Sequence, residues 1–111
     1  MSSDSLHIQH ILECIEKIET YIVDGKESFM SDERTQDAVL RNLHTLAESS
    51  SRISKSVQEQ FPDIPWREMY AFRNVVVHDY LGLDLNQIWQ IVANDIPPLR
   101  VHILTVQMNV N

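Results

Sequence analysis

Eight residues, Arg73-Asn74-Val75-Val76-Val77-His78-Asp79-Tyr80, gather a permanent cation, an amide, a group that titrates near neutrality and a phenol. That set suits chemistry on a phosphodiester without a metal ion. A neutral imidazole accepts the proton of a 2′-hydroxyl, and an imidazolium gives one to a departing oxygen. A guanidinium grips the phosphate through two parallel hydrogen bonds as charge builds on it. Read as a helix at about 100° per residue, Arg73 and Tyr80 nearly superimpose in projection, with His78 about 140° round from Arg73. Asn74 and His78, four apart, are direct neighbours on such a helix. Met69, Phe72 and Val76 follow the spacing of a stripe turned towards a core. Spacing alone leaves a second reading open, because Arg and His near a helix end also cap carbonyls and complement the dipole.

The elements that must hold this segment read as helices with little between them. Asp4 or Ser5 is the expected cap of a first helix. Ile8, Ile11, Ile15, Ile18 and Ile22 then keep 3, 4 spacing up to Gly25, the expected stop. Ser31 or Asp32 caps a second helix, whose stripe of Val39, Leu43, Leu46, Ser50, Ile53 and Val57 runs for nearly thirty residues. Ser49-Ser50-Ser51 lowers helix propensity in the middle of that run. The helix therefore either continues through small residues where a neighbour packs close, or breaks there. The prolines of Phe61-Pro62-Asp63-Ile64-Pro65-Trp66 make this stretch a connector, with Pro65 placed to open the next helix. The motif helix is predicted from Trp66 to about Asp79 and ends at Gly82. Asp84 caps a further helix with Leu85, Ile88, Trp89 and Val92 on its apolar face. Asp95 with Pro97-Pro98 marks a junction, and Leu99, Ile103 and Val106 carry the last helix. No run of residues keeps a strand period. The expected fold is an all-α antiparallel bundle of four to five helices, one domain spanning residues 1–111.

Composition narrows the function. A hydrophobic share of 43% with 2 Gly and 4 Pro fits an ordered helical domain rather than a disordered one. The lone cysteine, Cys14, excludes an internal disulfide and fits a reducing compartment. No signal-like opening and no apolar run of membrane length occur, so a soluble, cytoplasmic protein is expected. His7, His10 and Cys14 share a face of the first helix, yet no fourth ligand or paired Cys or His motif accompanies them. Side chains at the surface or partly buried are the better account, and neither a metal nor another cofactor is expected. The net charge is −7, from 9 Lys and Arg against 16 Asp and Glu. This opposes broad nucleic-acid binding, which a basic patch usually carries. An RNA site here must be a local positive pocket or be assembled from two chains. Arg41, Arg52 and Lys55 form the other basic cluster and read as solvated.

The stretch Ile64-Pro-Trp-Arg-Glu-Met-Tyr-Ala-Phe-Arg-Asn-Val-Val-Val-His-Asp-Tyr80, with Ile88-Trp89 and Asp95-Ile96-Pro97, resembles the HepT-like HEPN family. The family pattern is Arg, four residues, His, any residue, Tyr, usually with Asn directly after the Arg. Arg73, Asn74, His78 and Tyr80 match it throughout. The opening helix and the Leu43 to Ile53 segment are also alike, so nearly the whole chain is covered. One stretch departs: Ala47-Glu48-Ser49-Ser50 stands where relatives often carry Gly-Glu-Ala-Ala.

The resemblance implies a metal-independent ribonuclease toxin acting as a homodimer, with the Arg and His of both chains meeting in an interface cleft. It implies a partner as well, a small nucleotidyltransferase of the MNT type serving as antitoxin, which transfers AMP to the tyrosine of the motif. On this chain Arg73 would polarise the scissile phosphate, His78 would be the acid or base, Asn74 would orient either, and Tyr80 would be modified. Added phosphate and adenine beside Arg73 would fill the pocket and offset its charge. The rival reading is a non-catalytic helper that holds a nucleotide or substrate for an adjacent nucleotidyltransferase. A purely structural dimer is the third. His44 and His102 carry no functional argument at this level.

Overall fold

The isoleucine stripe forms the helix it predicts. In the computed structural model, which describes residues 3–75 and 83–110, α1 (Ser3–Tyr21) buries Ile8, Ile11, Ile15 and Ile18 almost completely. Ile22 packs at the edge of the same core. Both expected caps lie inside this helix, because it is already formed at Ser3. The Asp4 carboxylate is instead engaged fifty residues away. It accepts from the Ser54 backbone N–H at 2.8 Å and from the Ser54 hydroxyl at 2.7 Å. Gly25 ends the turn after α1 as expected, at φ 93°, where a side chain would be strained.

A short helix that the sequence pattern did not announce follows, α2 (Lys26–Ser31). It buries Phe29, whose ring meets Trp89 at 5.5 Å. Its last carbonyls find a partner in the buried Gln36, whose Nε2 donates to Phe29 O at 2.9 Å and Met30 O at 3.1 Å. Asp32 caps α3 (Glu33–Ser51), accepting from the Arg34 N–H and the Thr35 hydroxyl. The Thr35 hydrogen bond, above all, holds the Asp32 carboxyl below its usual range. The stabilisation from this cap is therefore fully present above the unfolded carboxylate range, near pH 4, and is lost as pH falls through the lowered value.

The serine run decides in favour of a break. Ser50 Oγ donates to Ala47 O and Ser51 Oγ to Glu48 O, each at 2.7 Å, three residues back. Such back-bonding competes with the helix ladder, and α3 ends at Ser51. Ser54 then caps α4 (Lys55–Gln60), its hydroxyl accepting from the Val57 N–H at 3.2 Å.

After α5 (Trp66–Ala71) and the motif region, α6 (Leu83–Gln90) passes through a π-helical turn, Ile91–Asp95, into α7 (Ile96–Asn109). The predicted junction is thus a widened turn within continuous helix rather than a stop and restart. Pro97 and Pro98 lack N–H groups and crowd the carbonyls four residues back. The turn accommodates them by an i→i+5 bond, Ile96 N–H to Ile91 O. Asp84 lies within α6 instead of preceding it, and the expected stop at Gly82 lies outside the described residues.

Directions follow from the ties. Asp4 meets Ser54, while Tyr21 and Asp37 line one groove, so α1 and α3 run antiparallel. Arg100, early in α7, bonds Glu19, late in α1, at 3.1 Å, so α7 is antiparallel to α1 too. Val39, Leu43 and Leu46 from α3, with Leu99, Ile103 and Val106 from α7, join the isoleucines in one core. No strand occurs among the described residues, and the fold is all-α. The expected four to five helices appear there as long runs α1, α3 and α6–α7, with α2, α4 and α5 as short connectors. None of these helices is long and apolar enough to cross a membrane.

Ser54→Ala removes a cap and a partner of Asp4 together, and should cost about 1–2 kcal/mol. Urea unfolding of this variant, Asp4→Ala and the double variant should show strong coupling. The double variant should be less destabilised than the sum of the singles.

Candidate active site

The connector before α5 is fastened by its aromatic residue. Trp66 is buried, its indole N–H donates to Phe61 O at 3.0 Å, and its backbone N–H donates to Ile64 O at 2.8 Å. Pro65 sits one position earlier than expected, as the cap, with its carbonyl accepting from Met69 N–H at 3.0 Å. Met69 and Phe72 are buried as their spacing predicts. Tyr70 packs against the core, and burial pushes its phenol pKa up, with a hydrogen bond to Gln58 pulling the other way.

The motif helix is much shorter than predicted. α5 ends at Ala71, Phe72–Asn74 forms a single 3₁₀ turn, and Val75 is extended at φ −74° and ψ 128°. The Phe72 N–H is shared between the carbonyls of Met69 and Tyr70, and the Val75 N–H bonds Phe72 O. The ladder tightens and then stops. A partner waits across the chain: His44 Nε2 meets Val75 O at 2.7 Å, so that carbonyl is held by a side chain of α3. A run of three β-branched valines, weak helix formers, starts at this point. The continuous helix that the projection assumed is interrupted at Val75, and the placement of His78 and Tyr80 relative to Arg73 and Asn74 lies outside the described residues.

Arg73 and Asn74 are both exposed, between the buried Phe72 and the buried Val75. A cation and an amide thus stand on the solvent side of a turn whose flanking residues are anchored in the core. His78 and Tyr80, together with Val76 of the predicted stripe, lie outside the described residues.

The first-helix histidines do not converge with Cys14 as ligands. His7 and His10 meet edge to face at 6.3 Å, whereas Cys14 turns into the core and is 5% exposed. Burial raises the Cys14 thiol pKa, Lys17 opposes that shift, and Glu13 adds to it. Among the described residues no group of three or more His, Cys, Asp or Glu is arranged to hold a metal ion. A groove of about 680 Å³ runs between α1 and α3, lined by residues that include His10, Lys17, Tyr21, Asp37 and Arg41. Neither Arg73 nor Asn74 lines it. A second hollow of about 370 Å³ includes His7, His10, His44, Glu48 and Arg52, the last two paired at 3.1 Å. Arg41, Arg52 and Lys55 are exposed, in line with a solvated cluster.

His44 is the residue that sequence reasoning passed over. Its partner lies thirty-one residues along the chain, and no periodicity links the two. No local sequence signal marks it; in the structure it is half-buried, one residue after the buried Leu43 of α3.

An all-α bundle that displays an Arg-Asn pair on a core-anchored turn is a fold of HEPN type. The chain belongs to the ribonuclease HepT-like family, whose model matches residues 11–106, the whole of the motif included. It is 38% identical over 95 residues to the probable ribonuclease HepT of Thermococcus cleftensis, an alignment covering 85% of this chain and 86% of that protein. It is 35% identical over 102 residues to a Methanocaldococcus jannaschii protein with the name "Gamma-glutamylcyclotransferase and putative RNase". That alignment covers 91% of this chain but 46% of the relative, so the chain spans about half of the relative's length. No solved structure matches the chain at a significant level.

Because Arg73 and Asn74 project to solvent, Arg73→Ala and Asn74→Ala should shift stability by no more than about 0.5 kcal/mol. Phe72→Ala, which empties the anchor of the same turn, should cost about 3–5 kcal/mol. Thermal unfolding of the three variants checks this separation between display and anchoring.

Proposed function

We propose that this chain is a metal-independent endoribonuclease, the toxin of a pair whose other member is an MNT-type nucleotidyltransferase. The observation that carries the reading is the complete Arg73-Asn74, His78, Tyr80 pattern inside a chain of the ribonuclease HepT-like family. The exposure of Arg73 and Asn74 on an anchored turn supports it, since a phosphate-binding guanidinium must be reachable yet held.

In this mechanism the guanidinium of Arg73 binds the scissile phosphate and stabilises the charge of the transition state. A neutral His78 takes the proton of the RNA 2′-hydroxyl, whose oxygen then attacks the adjacent phosphorus. The bond from phosphorus to the 5′-oxygen breaks, and an imidazolium protonates the departing oxygen. The products are a 2′,3′-cyclic phosphate and a free 5′-hydroxyl. No proton is gained or lost overall. Asn74 orients the imidazole or the phosphate. Homodimerisation supplies two copies of Arg73 and His78, one imidazole able to accept while the other donates. It also answers the charge of −7, because the local field at a shared cleft is then set by paired arginines. AMP transferred to Tyr80 would add a phosphate and an adenine to the motif and switch the enzyme off. The single free cysteine, Cys14, fits a reducing, cytoplasmic setting for all three partners: RNA, antitoxin and second copy.

Purified protein incubated with RNA in EDTA should cleave it, leaving 5′-hydroxyl and cyclic phosphate ends. Arg73→Ala and His78→Ala should each lose about 10²-fold or more, the usual range of acid–base and electrostatic contributions. Products with a 5′-phosphate, or cleavage abolished by EDTA, would exclude this mechanism. Intact mass recorded alongside distinguishes a silenced enzyme from an inactive one. Absence of cleavage at unmodified mass would favour the nucleotide-binding helper; a mass raised by AMP units that map to Tyr80 would show silencing.

A further inference from the structure

We propose that His44 is a positioning residue for the ribonuclease reaction. It would hold the Val75 carbonyl and so fix, at Val75, the backbone that joins Arg73 to His78. The proposal rests on the ribonuclease reading above and adds to it a residue outside the motif.

Val75 is 9% exposed, extended, and has its own N–H committed to Phe72 O. Its carbonyl cannot join the helix that has just ended. A buried carbonyl without a partner is costly, and His44 Nε2 supplies the partner at 2.7 Å. The post from which His44 reaches is rigid. Leu43, Leu46 and Ala47 on the same stretch of α3 are fully buried, and α3 lies against α1 along its length.

The chemistry of the bond defines the imidazole. A carbonyl only accepts, so Nε2 must carry the proton and Nδ1 is bare in the neutral ring. The imidazolium also carries a proton on Nε2. The bond therefore forms in either charge state, and His44 acts as a fixed tether. Arg73 lies two residues before the tether and His78 three residues after it. Arg73 keeps its own anchors when the tether is cut, namely buried Phe72 and the 3₁₀ bonds. Val75 lies between Arg73 and His78 in the chain, so the tether bears on how the two are set relative to each other rather than on Arg73 itself.

Loss of His44 should therefore act on kcat more than on KM. His44→Ala should lower kcat by about 10²-fold, the cost of misplacing a catalytic group by roughly 1 Å. KM should change by less than about threefold. His44→Gln keeps an N–H donor at the same reach but removes the imidazole, and should recover most of kcat with the pH–rate profile unmoved. The wild-type ring, read by ¹⁵N chemical shifts, should show the Nε2-protonated tautomer, which tests the bond whether or not His44→Ala folds. An Nδ1-protonated ring, a His44→Ala enzyme as fast as wild type, or a His44→Gln enzyme as slow as His44→Ala would each overturn the proposal. If wild-type protein of unmodified mass cleaves no RNA, the ribonuclease reading and this proposal fall together. If wild type cleaves and the His44 variants break the pattern, only this proposal falls.

Discussion

The dry seam between α1 and α3 is the contact on which the rest of the molecule depends. Four isoleucines of α1 and Val39, Leu43 and Leu46 of α3 are essentially removed from water, and each such side chain contributes about 1.5–3 kcal/mol on burial. Neither helix could hold its apolar face in water alone. Once paired, they form a two-helix slab against which α7 lays Leu99, Ile103 and Val106. The 3₁₀ turn of Phe72–Asn74 packs on the same slab through α3. The position of Arg73 is thus set through Phe72 and the helix pair rather than by its own segment.

Polar groups then fix the irregular parts. Asp4 ties the start of α1 to the cap of α4, Gln36 satisfies the end of α2, and Trp66 closes the proline connector on itself. Each joins residues that helix packing alone would leave loosely defined. His44 belongs to this group, since it satisfies a carbonyl where regular structure stops. The π turn before Pro97 is a backbone version of the same solution, keeping the chain helical while two residues withhold their N–H groups.

This division also explains how an acidic chain can display a cation on a well-anchored turn. The buried face of the motif turn is apolar, and its exposed face carries Arg73 and Asn74. Anchoring and display thus reside on different residues of one short turn.

Much of this was legible in the residues themselves. The helical period of Ile8 to Ile18, the Asp32 cap, the stripe of Leu99 to Val106 and the all-α class follow from local spacing, because burial of one helix face repeats every three to four residues. The Arg73, Asn74, His78, Tyr80 pattern and its family likeness were legible for the same reason, being properties of one contiguous stretch. The extent of the motif helix was not. Periodicity allowed it to run to Asp79, and α2 left too short a pattern to notice. Where the helix ends, His44 holds the Val75 carbonyl, and Ser54 holds the Asp4 carboxylate. Both partners are distant in sequence and adjacent only after α1, α3 and the motif turn have packed. The sequence by itself determined which faces are buried and which chemical groups are available. The tertiary structure decided where helices stop, because there the choice belongs to side chains brought in from other elements.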